Sequence, residues 1–194
     1  MPPVGSVYGN AIGGIVPYYY VGALAAALRP KVSFEIGTYL GVSALTIALN
    51  TADDAKIFTV DLPDEFAESD LSTLTQGDRR LVMDTINTVG RALNEHSAGS
   101  KVQQIRCNSL ELDVRRYTDQ IDFAFIDGGH SYELVKNDTE KCLSVLAPGG
   151  VMMWDDYRWN LPGVSRYLDE LRRTHALRRI GGTQYVCYSD RLAA

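Results

Sequence analysis

Cysteine is scarce in this chain: three residues in 194 (Cys107, Cys142 and Cys187), odd in number and without metal-ligand spacing. That excludes a disulfide framework and points to a reducing compartment, each thiol being a small core residue. Long apolar runs are missing too. Val21 to Leu28 is too short to span a bilayer, and the N-terminus lacks a basic stretch followed by an apolar core and a cleavage site. A cytoplasmic protein with no membrane partner is expected. Positive charge is in deficit, with 19 Lys and Arg against 24 Asp and Glu and a formal net charge of −5, whereas a protein that neutralises phosphates shows a basic face. Nucleic acid is therefore excluded as a partner, and Arg115-Arg116 and Arg172-Arg173 read as solvated surface. Repeats and low-complexity tracts are absent, and 45% of the residues are hydrophobic. One domain over residues 1–194 with a sizeable core is expected.

What is present is alternation. Val32–Ile36, Lys56–Asp61, Val102–Cys107, Ile121–Asp127 and Gly150–Asp155 read as buried strands with helical periodicity between most of them, which predicts an α/β fold with a parallel sheet and helices on both faces. Val82, Ile86, Val89 and Leu93 predict one amphipathic helix. Val135, Thr139, Cys142 and Leu146 predict another, capped by Ser131 and stopped by Pro148-Gly149-Gly150. A short helix follows through Val164, Tyr167, Leu168 and Leu171. Leu177–Ile180 and Gln184–Ser189, joined by Gly181-Gly182-Thr183, predict a closing hairpin that brings an antiparallel strand into the sheet. Residues 1–30, with Tyr18 to Tyr20 and a helix over Val21–Leu28, form an N-terminal helical or lid segment beside a core of residues 31–189. Residues 62–80 are a polar excursion that includes Asp70 and Asp78.

Two of the strands end in acid: Asp127 closes one, Asp155 and Asp156 the other. In open α/β sheets, ligands bind beyond the carboxyl ends of the strands, and three carboxylates there repel one another unless a cation compensates them. Hard oxygen ligands of this kind suit a divalent ion such as Mg²⁺. The first strand runs into Glu35-Ile36-Gly37-Thr38-Tyr39-Leu40-Gly41-Val42-Ser43, a glycine turn before a helix N-terminus. It lacks the G-x-G-x-x-G fingerprint, which counts against a nicotinamide or flavin. Asp61, at the end of the second strand, is placed either to hold both ribose hydroxyls of a nucleoside or to act as a turn residue before Pro63. Glu35 is placed to receive an ammonium group or to bond the loop's own N–H groups, and Asn108 and Ser109 lie at the height of a bound adenine.

With Phe125-Ile126-Asp127-Gly128-Gly129-His130-Ser131-Tyr132 and Leu146-Ala147-Pro148-Gly149-Gly150 … Trp154-Asp155-Asp156-Tyr157 added to the turn and the strand-two acid, residues 31–189 resemble class I S-adenosylmethionine-dependent methyltransferases. The likeness is to the branch of macrocin O-methyltransferase-like and cephalosporin hydroxylase-like proteins, related to catechol and caffeoyl-coenzyme A O-methyltransferases. The resemblance implies a Rossmann-like, mostly parallel seven-stranded sheet with an antiparallel C-terminal strand, and dimers are common among such proteins. It also implies that Gly37, Tyr39, Gly41 and Ser43 surround the methionine part of S-adenosylmethionine, that Asp61 holds its ribose, and that Asn108 and Ser109 lie by its adenine. Asp127, Asp155 and Asp156 then match the ligands of the metal-dependent members, although catechol-type enzymes have an asparagine where Asp156 stands. His130 occupies the place of their lysine base, and it reads either as the base or as a partner of Asp127.

The expected activity is methyl transfer to a small hydroxylated acceptor, a catechol or vicinal diol that chelates the ion and is lowered in pKa by it. Trp154, Arg158, Trp159 and Asn160, the tyrosine-rich segment and residues 62–80 are expected to wall the acceptor. The competing readings are a metal-independent methyltransferase with His130 as base, a cofactor-binding accessory protein without the chemistry, and a nicotinamide-dependent oxidoreductase.

Overall fold

The computed structural model describes residues 15–158 and 160–193, and its seven strands form one sheet in the order β3-β2-β1-β4-β5-β7-β6. β1 (Val32–Ile36) lies at the centre of the five parallel strands, between β2 (Lys56–Asp61) and β4 (Ile121–Ile126). A strand paired on both sides and covered on both faces is apolar throughout rather than alternating, which is why β4 reads Ile-Asp-Phe-Ala-Phe-Ile. Its one acid, Asp122, sits at the strand's start, where one carboxylate oxygen accepts the N–H groups of Lys31 (2.8 Å) and Val32 (2.9 Å) and fixes the entry of β1. β3 (Val102–Arg106) flanks β2, and β5 (Leu146–Trp154) flanks β4. β7 (Val186–Tyr188) runs antiparallel between β5 and β6 (Arg178–Arg179).

Helices cover both faces. α1 (Ile15–Leu28) and α2 (Val42–Leu49) bring Val21, Ala25, Val42 and Leu45 onto the face that holds Ile57, Phe123 and Phe125. On the other face Phe34, Ile36 and Ile126 meet α5 (Tyr132–Val145) and α6 (Pro162–Leu171) through Val135, Cys142, Val164 and Leu168. α5 starts where Ser131 predicts, its hydroxyl accepting the Leu134 N–H at 3.3 Å.

The elements depart from expectation in three places. The stripe Val82–Leu93 is not one helix: α3 (Gln76–Thr85) gives way to a 3-10 turn, then Gly90 at φ +73° starts the short α4 (Arg91–Asn94). α5 ends at Val145, and β5 begins at Leu146, so Pro148-Gly149-Gly150 lies in a bulge of the strand instead of stopping the helix. α1 starts at Ile15, ahead of the expected Val21, so Tyr18 to Tyr20 are helical; residues 1–14 of the expected lid lie outside the described residues. No helix among the described residues is long and apolar enough to cross a membrane.

Candidate active site

Strand register creates the site. Ile36 stands opposite Val60 on one side and Ile126 on the other, and Ile126 stands opposite Trp154. The residues that follow, Gly37, Asp61, Asp127 and Asp155, therefore leave the sheet side by side at its carboxyl edge. This is also where strand order reverses, the topological position at which α/β sheets open a crevice. A cavity of about 410 Å³ lies there, within the range of small-ligand sites.

One rim of the cavity is the turn after β1. Gly37 at φ +103° donates its N–H to the Val60 carbonyl at 2.9 Å, and a side chain there would collide with the Asp127 carbonyl oxygen. The chain then bends at Tyr39, itself at φ +46°, so that its N–H reaches Asp61 Oδ2 at 2.8 Å while the Leu62 N–H reaches Oδ1 at 2.8 Å. A carboxylate has about four lone-pair sites, so Asp61 retains acceptor capacity toward the cavity it lines. Burial raises its pKa against the pull of those backbone donors.

Glu35, Gly41 and Ser43 are not on the cavity wall. Gly41 at φ +82° lets the turn pack on Leu93, whose Cγ a Cβ would approach to 2.8 Å. Ser43 is buried in the first turn of α2. Glu35 is wholly buried within β1 and accepts the Thr59 hydroxyl, which also bonds Thr38 Oγ1 at 2.7 Å. Burial pushes Glu35 up to about 7, with the Ser43 and Thr59 hydroxyls beside it pulling the other way.

At the opposite rim, Asp127 is raised well above the usual carboxylate range by burial and then by Asp155 and Asp156. Burial and Asp156 push Asp155 up to about 6. Asp156 is differently placed, at φ +63° with both oxygens occupied: Oδ2 faces His130 Nε2 at 2.5 Å, and Oδ1 accepts the Arg158 guanidinium. His130 is bridged on its other side as well. Its Nδ1 meets Asp78 Oδ1, and its backbone N–H donates to Asp78 Oδ2 at 3.0 Å. Burial would lower this imidazole, but the hydrogen bonds and charges of Asp156 and Asp78 hold it up at about 10. A ring held this way carries a proton on both nitrogens and has no lone pair to take another. Asp78 is brought below its ordinary value by His130 despite its burial.

Asn108 and Ser109 line the cavity at the end of β3, and Asn108 donates to Asp70 at 3.1 Å. Of the expected acceptor walls, Arg158, Tyr18 and parts of residues 62–80 face the cavity. Trp154 is core: it is 1% exposed and donates from its indole to Thr139 Oγ1 at 2.8 Å. Asn160 is exposed and off the wall, and Trp159 lies outside the described residues. Sequence reasoning missed Asp78 as a partner of His130, and Gln184 and Tyr185 as wall residues. Thr75-x-x-Asp78, a capping-box spacing realised at the start of α3, was the signal available for the first. It also missed why α3 is amphipathic, since Leu81 and Val82, with Ile86 in the turn that follows, face the cavity instead of a packed core.

A family model described as a methyltransferase domain matches residues 34–157. Among curated proteins, a caffeoyl-CoA O-methyltransferase of Stellaria longipes is 28% identical over 138 residues, 68% of this chain and 48% of that protein. A Mycobacterium tuberculosis protein named as an O-methyltransferase is 30% identical over 166 residues, 79% of this chain and 61% of its own length. The chain thus spans between about half and three fifths of these relatives. Among solved structures, a caffeoyl-CoA O-methyltransferase-type protein of Staphylococcus aureus superposes with a TM-score of 0.68 at 18% identity, over 95% of this chain and 87% of that one. The O-methyltransferase TomG of Streptomyces achromogenes, in complex with S-adenosylmethionine, gives 0.63 at 16% identity over 92% and 81%. A match that begins within β1 and ends two residues past Asp155 takes in the parallel strands that build the cavity, and the chain belongs to the methyltransferase-domain family.

Proposed function

We propose that this chain transfers a methyl group from S-adenosylmethionine to a hydroxyl of a small acceptor. The observation that carries the reading is the delivery of Gly37, Tyr39, Asp61, Asp127 and Asp155 to one cavity by four parallel strands in register. The residues fit the cofactor. Asp127 and Asp155 are half-buried acids, Asp127 raised in part by Asp155 and Asp155 in part by Asp156, and neither has a salt bridge among the described residues, so a ligand bearing ammonium and sulfonium charge relieves them. Asp61 has acceptor capacity for ribose hydroxyls, and Asn108 and Ser109 offer polar groups beyond it. When bound, S-adenosylmethionine supplies an activated methyl group for in-line displacement; the chain positions the acceptor and takes its proton.

The divalent ion expected from the three acids does not fit this donor set. The charge of Asp156 is already met by His130 and Arg158, two cations that would repel a metal ion, and no group of three His, Cys, Asp or Glu among the described residues is arranged to hold a metal. The reading that fits is metal-independent. Arg158 and the doubly bridged His130 supply the positive charge beside the reacting oxygen, and Asp155 accepts the acceptor's proton, its pKa of about 6 lying near working pH. His130 orients Asp156 in place of serving as the base. A catechol or diol then has no chelation to rest on, and a single phenolic hydroxyl under the apolar residues Leu81 and Val82 of α3 suffices.

Calorimetry with S-adenosylhomocysteine tests the cofactor assignment. Binding to the wild type, loss of about tenfold or more in affinity in Asp61→Ala, and no binding of NAD are expected. A folded protein with no affinity for S-adenosylhomocysteine overturns the reading. Methyl gain on a phenolic acceptor panel, read by mass spectrometry, is expected to survive EDTA; loss on chelation with recovery on Mg²⁺ would reinstate the three-acid metal site. A homodimer, as the resemblance implies, is tested by sedimentation equilibrium.

A further inference from the structure

Residues 62–90 cross over the cavity between β2 and the turn that Gly90 closes, with Leu74, Leu81, Val82 and Ile86 directed inward. This strap is held at its rim by polar pins to the ends of successive strands. Asp64 pairs with Arg106 at the end of β3, Asp70 accepts from Asn108 just beyond it, and Asp78 takes the ring and backbone N–H groups of His130 after β4. Gly90 N–H closes the far end on the Tyr39 carbonyl at 2.7 Å. The Asp64 pin is largely exposed, with the carboxylate side chain 78% accessible, and such a pair contributes little. The Asp78 pin is 7% exposed and charge-assisted, the kind that contributes most.

Asp78 does two jobs with one carboxylate. Within its own segment it closes the capping box of α3, accepting the Thr75 N–H at 3.2 Å, while the Asp78 N–H donates to Thr75 Oγ1 at 3.2 Å. Across the cavity it grips His130, which in turn grips Asp156 beside Asp155. We propose that Asp78 is a positioning residue: it fastens the strap over the cavity and, through His130, sets the orientation of Asp156, so that closure and assembly of the reactive edge are one event. The start of α3 is ordered by the same carboxylate that reaches His130. A strap lifted from the cavity therefore leaves His130 held only by Asp156, and Asp156 fixed by Arg158 and by an imidazole that has lost its other anchor. Admission of ligand and relaxation of the acid edge go together.

The inference rests on the methyl-transfer reading only in its ligand arm. The full chain is compared with Asp78→Asn, which removes the charge; with Thr75→Ala, which removes the cap and leaves His130 untouched; and with His130→Gln, which breaks the same link from the other side and leaves the cap. Ring ¹⁵N resonances are read directly, His130 being one of three histidines. Asp78→Asn is expected to move the His130 Nδ1 resonance and to raise amide exchange across residues 62–90 about tenfold without ligand. S-adenosylhomocysteine should leave it about tenfold faster. His130→Gln should reproduce the exchange increase, and Thr75→Ala should move neither the resonance nor the release rate. An unshifted His130 resonance in Asp78→Asn overturns the proposal, as does Thr75→Ala matching Asp78→Asn in exchange and release. A wild type that does not bind S-adenosylhomocysteine fails the methyl-transfer reading alone, since resonance and exchange are judged on the free protein.

Discussion

Glu35 is a buried acid whose side chain faces away from the cavity, and its cost depends on pH. The folded carboxyl titrates at about 7 against 4.5 for the ordinary value. Between those values the folded state binds more protons than the unfolded one, so stability falls as pH rises through the window and is fully restored below it. The amide of Glu35→Gln does not titrate. The stability gap between variant and wild type should thus widen by as much as about 3 kcal/mol from pH 4.5 to pH 7.5, measured by urea denaturation across that range. A gap that stays constant with pH would mean Glu35 is not held neutral. The period of the strand explains its placement: Phe34 and Ile36 pack on one face of β1, so Glu35 must face the other, toward Thr59. Asp61, Asp127, Asp155 and Asp156 were legible as residues of the cavity edge because each stands at the end of a strand, and a strand's end is a place as well as a pattern. What those acids bond to was not legible. Asp78 and His130 are 52 residues apart, and no local pattern links them.

At the scale of elements, strands were read more closely than the joints between them. β1 and β2 have the expected bounds because each is a short run rich in β-branched and aromatic residues that ends at a marked stop, Gly37 after one and Asp61 before Pro63 in the other. The expected helix through Val82 and Leu93 has the right spacing, but Gly90 breaks it in a left-handed conformation, with the Gln104 side chain packed where a Cβ would go. Gly90→Ala is expected to destabilise by about 2 kcal/mol, from the left-handed backbone and the crowding together, read by chemical denaturation. A smaller loss would indicate that the α3–α4 joint can straighten. The α5–β5 junction hid itself similarly. Pro148-Gly149-Gly150 is the composition of a loop, yet a Cβ on Gly150 would lie 2.8 Å from the Ile121 carbonyl oxygen, and the close approach belongs to the sheet. Close backbone contact and a turn call for the same residue type, and sequence does not separate them.

For the whole molecule, the class of fold followed from alternation, whereas strand order did not, because five apolar runs look alike until they pair. The order β3-β2-β1-β4-β5-β7-β6 puts β1 and β4 together at the point of reversal and leaves β7, with its neighbour β6, to close one side. β7 pairs with Met152, Met153 and Trp154, and the segment entering it carries Gln184 and Tyr185 to the cavity. Ending the chain after residue 176 is therefore expected to uncover the β5 edge and abolish S-adenosylhomocysteine binding, with association visible in light scattering. A monomeric truncation that still binds would show the hairpin to be dispensable. Because β7 is inserted between two strands that precede it in the chain, a polypeptide leaving the ribosome acquires the glycine turn, Asp61 and the acid pair before the wall that faces them. The nascent chain passes through an interval in which the residues proposed to hold the cofactor are in place but their pocket is open on one side, and binding strength would be gained at a single late step of synthesis.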